Sequence, residues 1–279
     1  MVMSSILPKI SYRIRMFFNK TMAINIVKAF PLFAPSSPGS YTAIASLTMS
    51  SVNKSFPLLN SLIQTIGGPD QIHPMDVNKV FGDNPSNLLN ADRLKSLCNS
   101  YGTEKPTPAY LLYAGILGDG SEAKNIFEIG LGTNNTKVVS NMGADGHPGA
   151  SLRAFRDYCA NADVIGADID SEVLFEETRI QTIQIDQTNF SEMLSKVVNL
   201  NIEFDLFIDD GLHSPEANLA SLITGLKVVS KNGWVVIEDI GAQAFDLWPV
   251  VAKLLPTNYS SYILHSTGKG YLFAVQRTI

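Results

Sequence analysis

Apolar residues in the C-terminal part of the chain fall into short β-prone runs separated by stretches with helical spacing. Runs at 125–130, 163–168, 181–185, 204–209 and 233–238 are rich in Val, Ile and Phe, as expected of strands buried on both faces. Helix-compatible sequence lies between most of them, so the order is βα repeated, which predicts a parallel sheet with crossover helices. Two more β-prone runs, 260–265 and 270–276, flank the turn-like Ser266-Thr-Gly-Lys-Gly270 and predict an antiparallel hairpin. Upstream, 57–66, 90–98 and 109–117 show helical spacing and predict a cap in front of the sheet. Region 30–57, with Pro31, Pro35, Pro38, Gly39 and Pro57 among Ser and Thr, reads as a linker. The expected fold class is α/β: a doubly wound, Rossmann-like, mostly parallel seven-stranded sheet with a C-terminal antiparallel hairpin and an N-terminal helical cap. The expected divisions are a basic extension over 1–57, the cap over 58–120 and the sheet domain over 121–279.

Charge sets the N-terminus apart. Residues 1–69 hold Lys9, Arg13, Arg15, Lys20, Lys28 and Lys54 and no acid, so all 26 acidic side chains lie beyond them. That acidic body argues against nucleic acid as the main partner and suits a small ligand or a divalent cation. The basic, Ser-rich start reads as a targeting peptide, as sequence upstream of a later start at Met16, Met22 or Met49, or as a loosely packed arm. No apolar run approaches the roughly 18 residues of a membrane span. Cys98 and Cys159 lack metal-ligand spacing and read as free thiols in a reducing compartment, so the expected location is cytoplasmic.

The polar residues at the strand ends carry the chemistry. Asp209, Asp210 and His213 follow one apolar run, and Glu238 and Asp239 end the next. In open α/β sheets ligands bind beyond the carboxyl ends of the strands, so these groups suggest a metal and general-base site. The first strand runs into Gly130-Leu-Gly132, where glycines let backbone approach a ligand closely. Asn135 stands where a dinucleotide fingerprint wants a third small residue, and Glu128 precedes the turn. That E-x-G-x-G order points to S-adenosylmethionine, whose sulfonium and amino group favour a nearby carboxylate. Asp168, with Asp170 as fallback, ends the second strand where a carboxylate could accept both ribose hydroxyls. Asp186 and Gln187 end the third, near an adenine amino group. His73, His147 and His265 read as surface or packing residues, and Trp234 and Trp248 as packing.

With these residues in place, the sequence resembles the class I S-adenosylmethionine-dependent methyltransferases, and within them the metal-dependent O-methyltransferases of macrolide sugars, of the mycinamicin type. The similar stretches are Tyr101-Gly-Thr-Glu-Lys105, FEIGLGT (127–133), GASLRAFRDY (149–158), VIGADID, IDQTN (185–189), IDDGLH (208–213) and VIEDI (236–240). The resemblance implies Mg²⁺ held by Asp210, Glu238 and Asp239, His213 as general base, and Glu128, Gly130, Gly132, Asp168, Asp186, Gln187 and Asp209 as the cofactor set. Its implied partner is a small-molecule or sugar hydroxyl acceptor, with a homo-oligomer allowed. The chain departs from the family at Pro108, where a His usually stands two residues before the Tyr, and at Leu212, beside the His. Other readings are a metal-independent methyltransferase, a non-catalytic S-adenosylmethionine-binding protein, and an NAD-type oxidoreductase. The last explains the Gly turn and Asp168 but not the acid cluster.

Overall fold

The computed structural model describes residues 20–26, 41–66, 72–103, 105–266 and 270–279. The chain divides into two units, Met1–Gly68 and Pro69–Ile279. In the first, α1 covers 20–26 and α2 spans Tyr41–Ile66. The linker expected over 30–57 is therefore helical from residue 41, and its first part lies outside the described residues. Pro57 sits inside α2 and withdraws one backbone donor. Hydroxyls along α2 bond back along the helix, Ser55 of the expected linker to Ser51 O, and Ser61 to Pro57 O and Thr65 to Ser61 O in the stretch expected to be helical, at 2.8–2.9 Å. Among the described residues, no helix is long and apolar enough to cross a membrane.

The second unit is built on one sheet. Its strands are β1 (Asn125–Ile129), β2 (Asp163–Asp168), β3 (Glu176–Glu177), β4 (Ile180–Gln184), β5 (Phe204–Asp209), β6 (Val229–Ile240), β7 (Tyr259–His265) and β8 (Tyr271–Arg277), in the order β3-β4-β2-β1-β5-β6-β8-β7. The five central strands β4, β2, β1, β5 and β6 run parallel, β7 and β8 form the expected hairpin, and its turn at 267–269 lies outside the described residues. The sheet has eight strands rather than seven. The extra one, β3, is two exposed glutamates paired antiparallel to β4, too short and too polar to register as a β-prone run.

Side-chain alternation divides the core into two layers. Ile126, Leu206, Ile208 and Val236 face α3 (Val77–Phe81), α4 (Pro85–Ser100), α5 (Thr107–Leu117) and α6 (Ala150–Tyr158). Phe127, Ile129, Phe207 and Val235 face α7 (Phe190–Val198), α8 (Pro215–Val228) and α9 (Leu247–Leu254). Two of the three helices expected as a cap, α4 and α5, belong to one of these layers and lie on a sheet face, not in front of its strand ends, whereas the third, 57–66, is the end of α2 in the other unit. The physical reason is α5, buried continuously from Ala109 to Ala114, since a helix apolar on all sides belongs in a core. Trp234 and Trp248 are buried in packing. The chain leaves β1 first toward β2 and β4, then returns to β5 on the other side. That reversal opens a crevice beyond the ends of β1 and β5.

Candidate functional site

The crevice begins at the turn after β1. Gly130 has a φ of 100°, and a Cβ there would meet the carbonyl oxygen of Asp210 at 2.2 Å. The Asp210 amide donates to Ile129 O at 2.9 Å, so the loops after β1 and β5 interlock with no room for a side chain. Gly132 is also left-handed, at 77°. Beside these loops lies a cavity of about 730 Å³, lined by Gly130, Gly132, Asp168, Asp186, Gln187 and Asp210 among others. A smaller one of about 160 Å³ adjoins it, lined by Thr103, Met142, His147, Ser151, Asp210 and His213. Asp210 borders both.

Asp168 accepts from the Leu131 amide at 3.0 Å and the Asp170 amide at 2.9 Å, and burial raises its carboxyl pKa. Asp170 also lines the large cavity, where the Thr133 hydroxyl lowers its pKa. Asp186 holds only the exposed turn at Thr188. Gln187 is buried and fully engaged: its amide donates to Asp209 and Ser221, and its oxygen accepts from the Leu212 amide. Two expected cofactor residues lie away from the cavity. Asp209 shares the parity of Phe207, points under α8, and is held by Gln187 and Asn218. Glu128 shares the parity of Ile126, points to the other layer, and accepts from Ser151 Oγ at 2.7 Å.

The acids expected to hold a metal converge, but in two groups. Asp210 lies with Glu128 and Glu238 on the buried side and with His213 and Asp239 on the open side; in each group three ligand atoms fall within 4.8 Å of one another. Adjacent residues 238 and 239 part company because β6 shifts register between Ile237 and Ile240, and Asp239 takes a φ of 51°. His213 precedes α8, whose N-cap Ser214 accepts from the Ala217 amide and whose first residue is Pro215. It too is left-handed, and its Nδ1 is buried without a hydrogen-bond partner.

Sequence reasoning missed the centre of the buried group. The Lys105 ammonium sits 2.6 Å from Glu238 Oε1, 2.9 Å from Asp210 Oδ2 and 3.3 Å from Glu128 Oε1, the last an ion pair without hydrogen-bond geometry. Tyr113 donates its hydroxyl to the same Glu238 oxygen. Burial pushes Glu238 up to about 8 in spite of the ammonium, and it raises Glu128 as well. Burial alone would lower Lys105, but Asp210, Glu238 and Glu128 together hold it well above its ordinary value. The available signal was the acid cluster itself, because buried carboxylates need a cation and Lys105 ends one of the resembling stretches.

No protein-family model matches the chain. It is 34% identical over 112 residues to mycinamicin VI 2''-O-methyltransferase of Micromonospora griseorubida, covering 38% of this chain and 28% of that protein. The chain is similar to sugar O-methyltransferases. A second such relative, the 8-demethyl-8-(2-methoxy-alpha-L-rhamnosyl)-tetracenomycin-C 3'-O-methyltransferase of Streptomyces olivaceus, is 32% identical over 33% of this chain and 23% of its own length. The chain thus matches about a quarter of the length of these relatives. Among solved structures, the MycE methyltransferase from the mycinamycin biosynthetic pathway, in complex with Mg and SAH, superposes with a TM-score of 0.53 at 23% identity, over 67% of this chain and 55% of that one. MycE with Mg, SAH and mycinamycin VI superposes equally well. The shared feature is the Rossmann-like methyltransferase fold.

Proposed function

We propose that this chain is an S-adenosylmethionine- and Mg²⁺-dependent O-methyltransferase acting on a hydroxyl of a sugar, glycan or polyhydroxylated natural product. The observation that carries the reading is the position of Asp210, at the border of the two cavities and within ligand distance of His213 and Asp239. In this reading the large cavity takes the cofactor. Gly130 and Gly132 let backbone approach it, Asp168 or Asp170 accepts the ribose hydroxyls, and Asp186 lies near the adenine. Gln187 and Asp209 hold the loop after β5 in shape, and Glu128 serves the acid cluster.

The donors fit a hard divalent cation: carboxylates from two strand ends, one already exposed to the cavity side. Asp210 and Asp239 would hold it, with Glu238 joined to them through the group it shares with Asp210, and when bound it would supply Lewis-acid polarisation of the acceptor hydroxyl. His213, lining the smaller cavity, would accept the hydroxyl proton as general base, and the bound cofactor would supply the methyl group to the hydroxyl oxygen. Asp239 Oδ2 lies 3.9 Å from His213 Nε2, on the same open side of the site. The walls of the two cavities fix the approach of the reacting atoms. The relatives' named substrates support a glycosyl acceptor.

The test is the melting temperature of the purified protein with S-adenosylhomocysteine, with and without Mg²⁺ or a chelator, for wild type and Asp210→Ala. A shift with S-adenosylhomocysteine, a further Mg²⁺-dependent one, and loss of the second in the variant are expected. No shift at saturating S-adenosylhomocysteine sinks the reading. One observation favours a metal-independent variant of it: Lys105 already supplies a cation to the cluster. In that case methyl transfer survives chelation.

A further inference from the structure

Asp210 belongs to two potential cation positions, and the Lys105 ammonium occupies only one of them. In the buried position the side chains of Glu128 and Glu238 are 0% and 1% exposed, and the Lys105 ammonium, itself 4% exposed, already touches all three carboxylates. The Lys105 backbone is fixed as well, because its amide donates to the Tyr110 hydroxyl at 2.8 Å just before α5. In the open position, His213 is 30% and Asp239 51% exposed, and His213 and Asp210 line the smaller cavity.

We infer that Lys105 is a positioning residue: it fills the buried half of the acid cluster and confines a divalent cation to the open half, around Asp210 and Asp239, where an acceptor hydroxyl can reach it. This rests on the metal-dependent reading above. A cation in the buried half would meet three oxygen ligands but no route for an acceptor, and it would have to shed the waters that Mg²⁺ gives up reluctantly. The ammonium prevents this by repulsion and by taking one oxygen from each carboxylate. The hydrogen bonds of Lys105 and Tyr113 both fall on Glu238 Oε1, which ties that carboxylate to the buried half. Lys105 holds Asp210 by Oδ2, which leaves Oδ1.

The experiment is a titration of the full chain with Mn²⁺, read by loss of the free-ion electron paramagnetic resonance signal, for wild type, Lys105→Met and Glu128→Gln. S-adenosylhomocysteine-dependent melting is recorded on the same samples. Lys105→Met removes the ammonium from the buried half while keeping most of the unbranched stem, so it is expected to bind Mn²⁺ about tenfold more tightly or to take a second ion. Glu128→Gln is expected to stay within about twofold of wild type, because Glu128 lies inside the position that Lys105 closes. Mn²⁺ binding by Lys105→Met no tighter than wild type overturns the inference. So does a tenfold loss in Glu128→Gln, which also decides the matter should Lys105→Met fail to fold. Either result with the S-adenosylhomocysteine shift intact counts against Lys105 alone. Loss of that shift in wild type counts against the methyltransferase reading.

Discussion

Nε2 of His213 stands 3.9 Å from Oδ2 of Asp239, and both residues hold a left-handed backbone, with φ of 54° and 51°. Side chains rarely adopt this conformation, which costs about 1–2 kcal/mol per residue. Two such residues from different elements, aimed at one another, indicate a geometry kept for chemistry. His213→Gly removes the imidazole from a position glycine tolerates, so stability should stay within about 1 kcal/mol of wild type. If His213 is the base, kcat should fall by about 10² to 10⁴. The S-adenosylhomocysteine melting shift should persist, because His213 borders only the smaller cavity. Unchanged kcat would remove the proposed base.

Asp168 and Asp186 both line the large cavity but hold different things. Asp168 satisfies the amides of Leu131 and Asp170 in a buried setting, whereas Asp186 secures only an exposed turn. Asp168→Ala should therefore cost about 1–3 kcal/mol and abolish the S-adenosylhomocysteine shift, since it strands buried donors as well as a ligand contact. Asp186→Ala should cost about 0.5 kcal/mol and only weaken the shift. Thermal melts with and without ligand separate the two, and equal stability loss would contradict the assignment.

Much of this architecture is legible from apolar periodicity. Every central strand announces itself as a short apolar run of β-branched or aromatic residues, and Asp210, His213 and Asp239 lie at the ends of adjacent parallel strands. Parity was available too: Glu128 shares the parity of Ile126 and Asp209 that of Phe207, which sends each into a different layer and out of the cavity. Lys105 was legible only as the end of a resembling stretch beside an acid cluster in need of a cation, because its ammonium reaches Glu238 across 133 positions. The split between Glu238 and Asp239 depends on a register shift in β6 that no periodicity carries. Only the first part of α2, residues 41–56, hid behind Pro57 and its Ser and Thr residues, which local propensity assigns to loops.

Gly130 couples the two loops that frame the site. An alanine there would adopt a φ of 100° and drive its Cβ to 2.2 Å from the Asp210 carbonyl, so the loop after β5 must move. Gly130→Ala should lose about 1–3 kcal/mol. It should also blunt both the S-adenosylhomocysteine and the Mg²⁺ melting shifts, because the displaced residue is Asp210. A variant that melts lower yet retains both shifts would show that the contact serves stability alone.

Glu238 should make the metal-free protein less stable as pH rises. Burial lifts its carboxyl from an ordinary 4.5 to about 8, so between those values the folded chain holds a proton that the unfolded chain releases. The stabilisation is complete below pH 4.5 and is lost as pH climbs through 8. Lys105, raised well above 10.5, contributes in the same sense only at more alkaline pH, so its share is constant across this window. Glu238→Gln mimics the protonated acid and cannot ionise. In chelator, the melting temperature of the variant relative to wild type should therefore rise steadily from pH 5 to pH 8.5. A flat difference would mean that the carboxylate is already ionised beside Lys105 at acid pH, and a falling one that the ion pair outweighs the burial of its charge.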